Sequence, residues 1–381
     1  ARAAYFAGEG SAAWPQVQRA LSLSREHAYV RGEYNILSLM GLLHWHAGDF
    51  AAADDLLGQA VQLIDQVGDP RRQLDILNNL GVVAKARARL PQALAYYERA
   101  QAIARRIGDR SGEAMLLNNM GDACLEMGEY HQAGQYAAQA ALIFEDVHET
   151  VSQGSALINR AEACRGLGQF PLARDLALQA LALLRAGHHR HGEAVVLDNL
   201  AMVELALGRA EQAEESAQAA WRVALDSGLK ALQPGILRNL GRAQTAQHRW
   251  PLARQTLLRA AEIAQDLSAP QVLLEVRAAQ AELAWMATDE DLAQLACTAL
   301  VEGLPLVLDG DRLNTAAFLP MWACLALHRA LVWAQDDHAG RLLAAVQQEL
   351  QRRLQRIPDD AARADFKAIP EHAIFLQASP P

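Results

Sequence analysis

The sequence predicts an all-α protein assembled from stacked helix–turn–helix units. Three observations predict it: a composition of small and straight-chain residues, an internal repeat of forty residues, and glycine or proline at fixed places within each repeat. The 381-residue chain is 51% apolar but only 6% aromatic. Alanine, leucine, glutamine, glutamate and arginine dominate. These are strong helix formers, and their small apolar members suit closely packed helices better than the thick core of a sheet sandwich.

The repeat is legible in three stretches: ILNNLGVVAKARARL from Ile76, LLNNMGDACLEMGEY from Leu116 and VLDNLAMVELALGRA from Val196. A small landmark residue recurs without insertion or deletion as Gly41, Gly81, Gly121, Ala161, Ala201, Gly241 and Ala281. A second column is alanine at 13, 53, 93, 133, 173, 213, 253 and 293, and a third is alanine from Ala20 to Ala260 before it changes to Leu300. A fixed period of this length marks a repeat architecture in which neighbouring units bury a continuous core.

Each unit then resolves into two helices. Helix A of a typical copy is predicted over 71–87, a turn near 88–90, and helix B over 91–107. Gly48, Gly128, Gly168 and Gly208 stand where helix A ends, as a left-handed C-terminal cap requires. Pro91, Pro171 and Pro251 stand in the first turn of helix B, where a missing N–H costs nothing. Gly68-Asp69, Gly108-Asp109 and Ser227-Gly228 close the repeat.

Landmark glycine, alanine twelve residues on, Tyr97 four further and Ala100 three further form a spacing that resembles the tetratricopeptide repeat. The resemblance covers residues 1–303 and implies a right-handed superhelical solenoid whose helix A faces line a concave groove. Two features depart from the family pattern. The period is forty, which longer helices would absorb, and the usual aromatic after the landmark is replaced by Ala84, Cys124 and Cys164.

The forty-residue frame places Ala1 on the landmark position and Gly8 in the turn, so the first repeat reads as cut in half and the chain as the C-terminal part of a longer protein. Residues 304–381 read as a cap: an apolar helix near 313–335, a polar one near 337–356, and a tail with Ile357-Pro358, Phe366, Ile369-Pro370, Glu371-His372 and Leu376. This ending resembles the tails of tetratricopeptide arrays in large bacterial signalling proteins, including transcriptional regulators and STAND-type NTPases.

Several classes of chemistry find no support. A net charge of −9 and a pI near 5.8 give no field that recruits nucleic acid or an anionic membrane. The most apolar stretch, Thr315 to Ala334, is interrupted by Pro320 and His328-Arg329 and is too broken for a bilayer span. No signal peptide is read at the N-terminus, and four cysteines without a CxxC pair suggest a reducing, cytoplasmic setting. No phosphate loop, nucleophile elbow or HExxH pair is present, so no enzyme site, cofactor or metal is expected. His188, His189 and His191 read as a solvated loop, and Cys124 and Cys164 as small apolar fillers.

One column resists a purely structural account. Asn79, Asn119, Asn159, Asn199 and Asn239 stand two residues ahead of the landmark in five successive repeats, doubled by Asn78 and Asn118. Each asparagine costs a helix about 0.5–0.7 kcal/mol against alanine, so the amide must be used. The resemblance implies a peptide-binding position, since kinesin light chain and chaperone-tail adaptors hold a bound peptide with an asparagine there. Asp75, Lys85, Asp122, Glu162, Arg165, Asp198, Arg238 and Arg242 would share that groove, whose mixed charge suits an extended peptide or protein surface better than a terminal carboxylate. The other reading is a ladder in which each amide bonds the neighbouring helix and fixes the stacking of repeats.

The sequence thus predicts a non-catalytic sensor or partner-binding arm of a larger cytoplasmic bacterial regulator. Its partners would be a protein or peptide in the groove and an upstream effector domain. A free-standing scaffold that dimerises through the apolar cap around Phe318, Trp322, Leu325 and Trp333 is the alternative.

Overall fold

The computed structural model describes residues 10–310, 312–314 and 319–378, with side chains from Trp14 onward. Ala1, Gly8 and Phe318, on which sequence readings fall, lie outside the described residues. The chain divides into two compact units, residues 1–127 with 142–147, and residues 128–141 with 148–381.

The first unit contains α1 (Gly10–Glu26), α2 (Val30–His46), α3 (Phe50–Val67), α4 (Pro70–Ala86), α5 (Leu90–Ile107), α6 (Arg110–Glu126) and the last turn of α7 (Tyr130–Asp146). The second holds the rest of α7, then α8 (Thr150–Gly166), α9 (Phe170–Ala186), α10 (Arg190–Ala206), α11 (Ala210–Asp226), α12 (Gln233–Ala246), α13 (Trp250–Asp266), α14 (Pro270–Ala287) and α15 (Glu290–Glu302). Even-numbered helices from α2 to α14 are helix A of a repeat, and odd-numbered ones from α1 to α15 are helix B. Helix A of the typical copy runs 70–86 and helix B 90–107, one residue ahead of the predicted starts.

The boundaries follow from local chemistry. Backbone φ is positive at 28, 48, 68, 88, 108, 128, 148, 168, 188, 208, 228, 248, 268 and 288, so the chain turns at twenty-residue intervals and the forty-residue period is two helices of equal length. Glycine fills seven of these positions, including all those predicted as caps. The following helix is opened by Asp49, Asp69, Asp109 and Asp289, whose carboxylates accept from the N–H three residues on. One start is delayed: Pro234, which lacks an N–H, leaves a 3₁₀ turn at Lys230–Leu232 before α12 begins.

The landmark column is explained by what lies opposite it. A Cβ on Gly81 would stand 2.2 Å from the Tyr97 ring, one on Gly41 2.7 Å from Leu57, and one on Gly241 2.5 Å from Leu257. Where the landmark is alanine, as at Ala201 and Ala281, the residue sixteen on is Ala217 or Cys297, buried in the same cluster. Helix A and helix B therefore approach closely at these landmarks, either with a glycine under a bulky side chain or with two small residues together. All four cysteines are buried and free, and burial pushes the Cys124 thiol up to about 12.

After α15 the pattern changes. A four-residue turn α16 (Leu304–Val307) leads into a two-stranded hairpin, β1 (Leu308–Asp309) antiparallel to β2 (Arg312–Leu313). Then come α17 (Met321–Trp333), α18 (His338–Gln355), α19 (Asp360–Ala368) and α20 (Pro370–Gln377). The apolar helix predicted from 313 starts only at Met321, because the strand takes Leu313 and Pro320 sets the N-terminal boundary. Its apolar face is covered: Cys324, Leu327 and Leu331 share one buried cluster with Phe366 and Phe375 of the tail.

Candidate functional site

Of the predicted groove residues in the first unit, α4 supplies Asn78, Asn79 and Lys85, and α6 supplies Asn118, Asn119 and Asp122. Two contacts bring them together. Asn119 Nδ2 donates to Asn78 Oδ1 at 2.9 Å. Lys85 Nζ is ion-paired with Asp122 and, at 3.1 Å, with Glu126. Burial works against the Lys85 ammonium, but Asp122 and Glu126 outweigh it and hold its pKa above the ordinary lysine value. Asp75 instead pairs within its own helix, with Arg72 at 3.3 Å.

In the second unit the polar residues form a continuous chain across three helix A elements. Glu275 of α14 is ion-paired with Arg238 of α12. Arg238 Nε donates to Asn239 Oδ1 at 3.2 Å, and Asn239 Nδ2 donates to Asp198 Oδ1 of α10 at 2.8 Å. Both halves of the Asn239 amide are thus occupied, and Asn239 is fully buried. Burial raises the Asp198 carboxyl above the usual carboxylate range against the pull of Arg238, the Asn239 bond and Arg165. Burial also pushes Arg238 down to about 10, opposed by Asp198 and reinforced by Arg242 and Arg165.

The two asparagine bonds share one register, a donor in one repeat and an acceptor forty-one residues earlier. That register requires a polar residue just ahead of the asparagine column in the preceding repeat. Asn78 and Asp198 meet the requirement, whereas the residue forty-one before Asn199 is Ile158. Asn199 accordingly carries no side-chain hydrogen bond among the described residues and is half-buried; Asn79, whose counterpart Ser38 is polar, carries none either. Asn118 and Asn159 are half-buried and partnered.

Glu162 and Arg165 stand one turn apart on α8, 3.5 Å from each other, and the Arg165 Nε is buried without a hydrogen-bond partner. Arg242 is held between Glu282 at 2.9 Å and the Trp322 ring, 3.9 Å below its guanidinium carbon. Glu126, Glu275, Glu282 and Trp322 were not among the predicted groove residues. A signal exists for Glu275: it follows Arg238 by thirty-seven, the interval that separates Asp122 from Lys85.

The histidine loop has a structural role. His188 takes the left-handed turn position, and His189 Nδ1 accepts from Gly192 N at 3.1 Å as the cap of α10. Among the described residues no three His, Cys, Asp or Glu side chains converge as metal ligands, and no helix is long and apolar enough to cross a membrane.

A family model described as tetratricopeptide repeat matches residues 33–106, 72–146, 112–186 and 152–226. No curated protein matches the chain in sequence. Among solved structures, a Rap protein complexed with competence and sporulation factor is 13% identical with a TM-score of 0.61, over 92% of this chain and 98% of that one. The apo form of the quorum sensor NprR from B. thuringiensis is 13% identical with a TM-score of 0.55, over 92% and 97%. A STAND protein with a tetratricopeptide repeat sensor from Pyrococcus horikoshii is 14% identical with a TM-score of 0.54, over 94% of this chain and 55% of that one. At these identities the likeness is one of fold.

Proposed function

The chain belongs to the tetratricopeptide repeat family, and from that premise we propose that it is a non-catalytic binding module. Its helix A faces hold a protein or extended peptide, as the sensing arm of a larger cytoplasmic bacterial regulator. Residues 1–303 are the binding array in this reading and 304–381 its cap. Occupancy biases an effector domain elsewhere in the same polypeptide by favouring one arrangement of the repeats. A quorum sensor and a STAND sensor are among the proteins that share this fold.

The observation that carries it is the division of the asparagine column. Asn119 and Asn239 are committed to stacking, while Asn199 keeps a half-buried amide without an internal partner. In the same unit Arg165 keeps a buried Nε without a hydrogen bond. A chain laid along this face would offer backbone carbonyls to both donors, of which the buried Arg165 Nε otherwise bears a desolvation cost of about 1–3 kcal/mol. Glu162 and Arg242 of the same unit, each already paired, supply its charged rim.

The test is capture from an immobilised library of random peptides by the wild-type chain, Asn199→Ala and Arg165→Ala. Both variants should lose at least tenfold in affinity for captured peptides with unchanged far-UV circular dichroism. Equal affinity in all three proteins would remove the reading.

A second reading, self-association through the cap, rests on Val332 and Trp333, which are 56% and 53% exposed at the end of α17. Light scattering that shows a dimer abolished by Trp333→Ser supports it, and a monomer at all concentrations removes it.

A further inference from the structure

Repeat arrays hold together through nearest neighbours, so a contact that skips several repeats calls for an explanation. The second unit has one. Arg352 of α18 reaches Glu129, 223 residues earlier in sequence, at 2.9 Å, and Arg353 donates to the Tyr130 hydroxyl at 3.1 Å. Arg356 is ion-paired with the same Glu129, which is only 8% exposed. Glu349 holds Arg352 and Arg353 in place, each at 2.7 Å.

The turn glycines confirm that the tail lies against two particular turns. A Cβ at Gly48, Gly68, Gly108, Gly208 or Gly228 would meet nothing within 4 Å. At Gly128 it would stand 2.6 Å from the Arg353 guanidinium carbon, and at Gly168 2.6 Å from the Asp365 carbonyl oxygen. Those are the two helix A to helix B turns on which α18 and α19 rest.

This seat depends on buried charge, as the packing between repeats does not. Its ion pairs lie beside apolar contacts, with Leu167, Tyr130 and Phe170 packed in one cluster with Ile357, Phe366 and Ile369 of the tail, and beneath them lies a cavity of about 350 Å³ lined by Tyr130, Leu167, Arg353, Ile357 and Phe366. Removing one partner of a buried ion pair leaves the other charge uncompensated and is strongly destabilising, whereas the alanine-lined helix contacts carry no charge. Loss of the Glu129 charge therefore opens the seat before the repeats come apart.

We propose that residues 338–378 form a charge-latched clasp on the turns at 128–131 and 166–170, which opens as a unit when Glu129 is neutralised and lets the intervening repeats change curvature. The clasp also touches the helix A face, because α17, packed between the repeats and the tail, carries the Trp322 ring that covers Arg242. That extension rests on the binding role proposed above; the latch itself does not.

Hydrogen exchange read by mass spectrometry on the full chain decides the matter. Glu129→Lys should speed exchange in 360–377 at least tenfold, leave α10 to α14 unchanged and raise the radius of gyration measured by small-angle scattering. Unchanged protection of 360–377 in this variant would overturn the clasp. Should Glu129→Lys lose its helical signal altogether, Glu129→Gln, which removes the charge alone, decides. Selective acceleration in 360–377 supports the latch, and a uniform or absent response overturns it. Peptide capture that fails while the selective exchange persists would remove the binding role and leave the clasp standing.

Discussion

Asn119 donates its side-chain amide to Asn78 across two successive A helices at 2.9 Å, and Asn239 repeats the bond to Asp198 one hundred and twenty residues later. Identical register in the two units makes the bond a stacking device. The asparagine column is therefore mixed: Asn119 and Asn239 bond the polar residue one step ahead of the column in the preceding repeat, and Asn199, whose counterpart there is Ile158, does not.

Alanine substitutions along the column should separate accordingly. Asn239→Ala leaves the buried Asp198 carboxylate and Arg238 Nε without their shared partner and should cost about 2–3 kcal/mol. Asn119→Ala removes one half-buried bond and should cost about 1 kcal/mol. Asn199→Ala loses no internal bond and gains helix propensity, so it should stabilise by about 0.5 kcal/mol. Thermal denaturation of the three variants checks the order, and an Asn199→Ala protein as damaged as Asn239→Ala would contradict it.

Gly81 and Tyr97 should behave as one steric unit. Gly81→Ala places a methyl 2.2 Å from the Tyr97 ring and should cost about 1–3 kcal/mol through overpacking. In a Tyr97→Ala background the same change should become neutral or favourable, since alanine is the better helix former by about 1 kcal/mol. A double-mutant cycle with no coupling would mean that the ring moves aside freely.

These results mark what could be read from the chain. The period, the helix limits and the capping glycines were legible because each rests on local chemistry that repeats, such as Pro91 opening α5 and Gly168 ending α8. The left-handed residues at Ala88, His148, His188 and His248 were not, because nothing in those side chains demands positive φ; the twenty-residue spacing of the turns imposes it. The contact of Arg352 with Glu129 was equally hidden, since it joins residues outside any repeat register. Polar residues of the helix A face were legible where a column exposed them, as with Asn199. Glu275 and Trp322 were missed because their roles depend on which base each one faces.

Non-glycine residues at the turn positions store strain that can be relieved. An L-residue in the left-handed region costs about 1–2 kcal/mol, and Ala88 adopts φ 55° at an exposed turn. Ala88→Gly should therefore raise the thermal midpoint, with a gain of about 1 kcal/mol after the unfolded chain's added freedom is subtracted. Gly108→Ala, at φ 71° with open space around it, should lose a comparable amount. Matched changes of the same sign in both variants would refute the turn argument.

The tail should loosen in mild acid because of His372. Its ring is 4% exposed, lies 4.3 Å from the Phe366 ring and donates from Nδ1 to the Phe366 carbonyl at 2.9 Å. Burial lowers its pKa from 6.5 to about 4, with the Phe366 bond opposing and Arg353 adding to the shift. The unfolded tail thus binds a proton that the folded tail refuses between these values. Stability is complete above pH 6.5 and falls as the pH drops towards 4, by up to about 3 kcal/mol. Hydrogen exchange in 360–377 followed from pH 7 to pH 4, corrected for intrinsic rates, should show the loss. His372→Phe, which keeps the ring packing and cannot be protonated, should remove most of the slope between pH 6.5 and 4; a slope unchanged by that substitution would place the proton elsewhere.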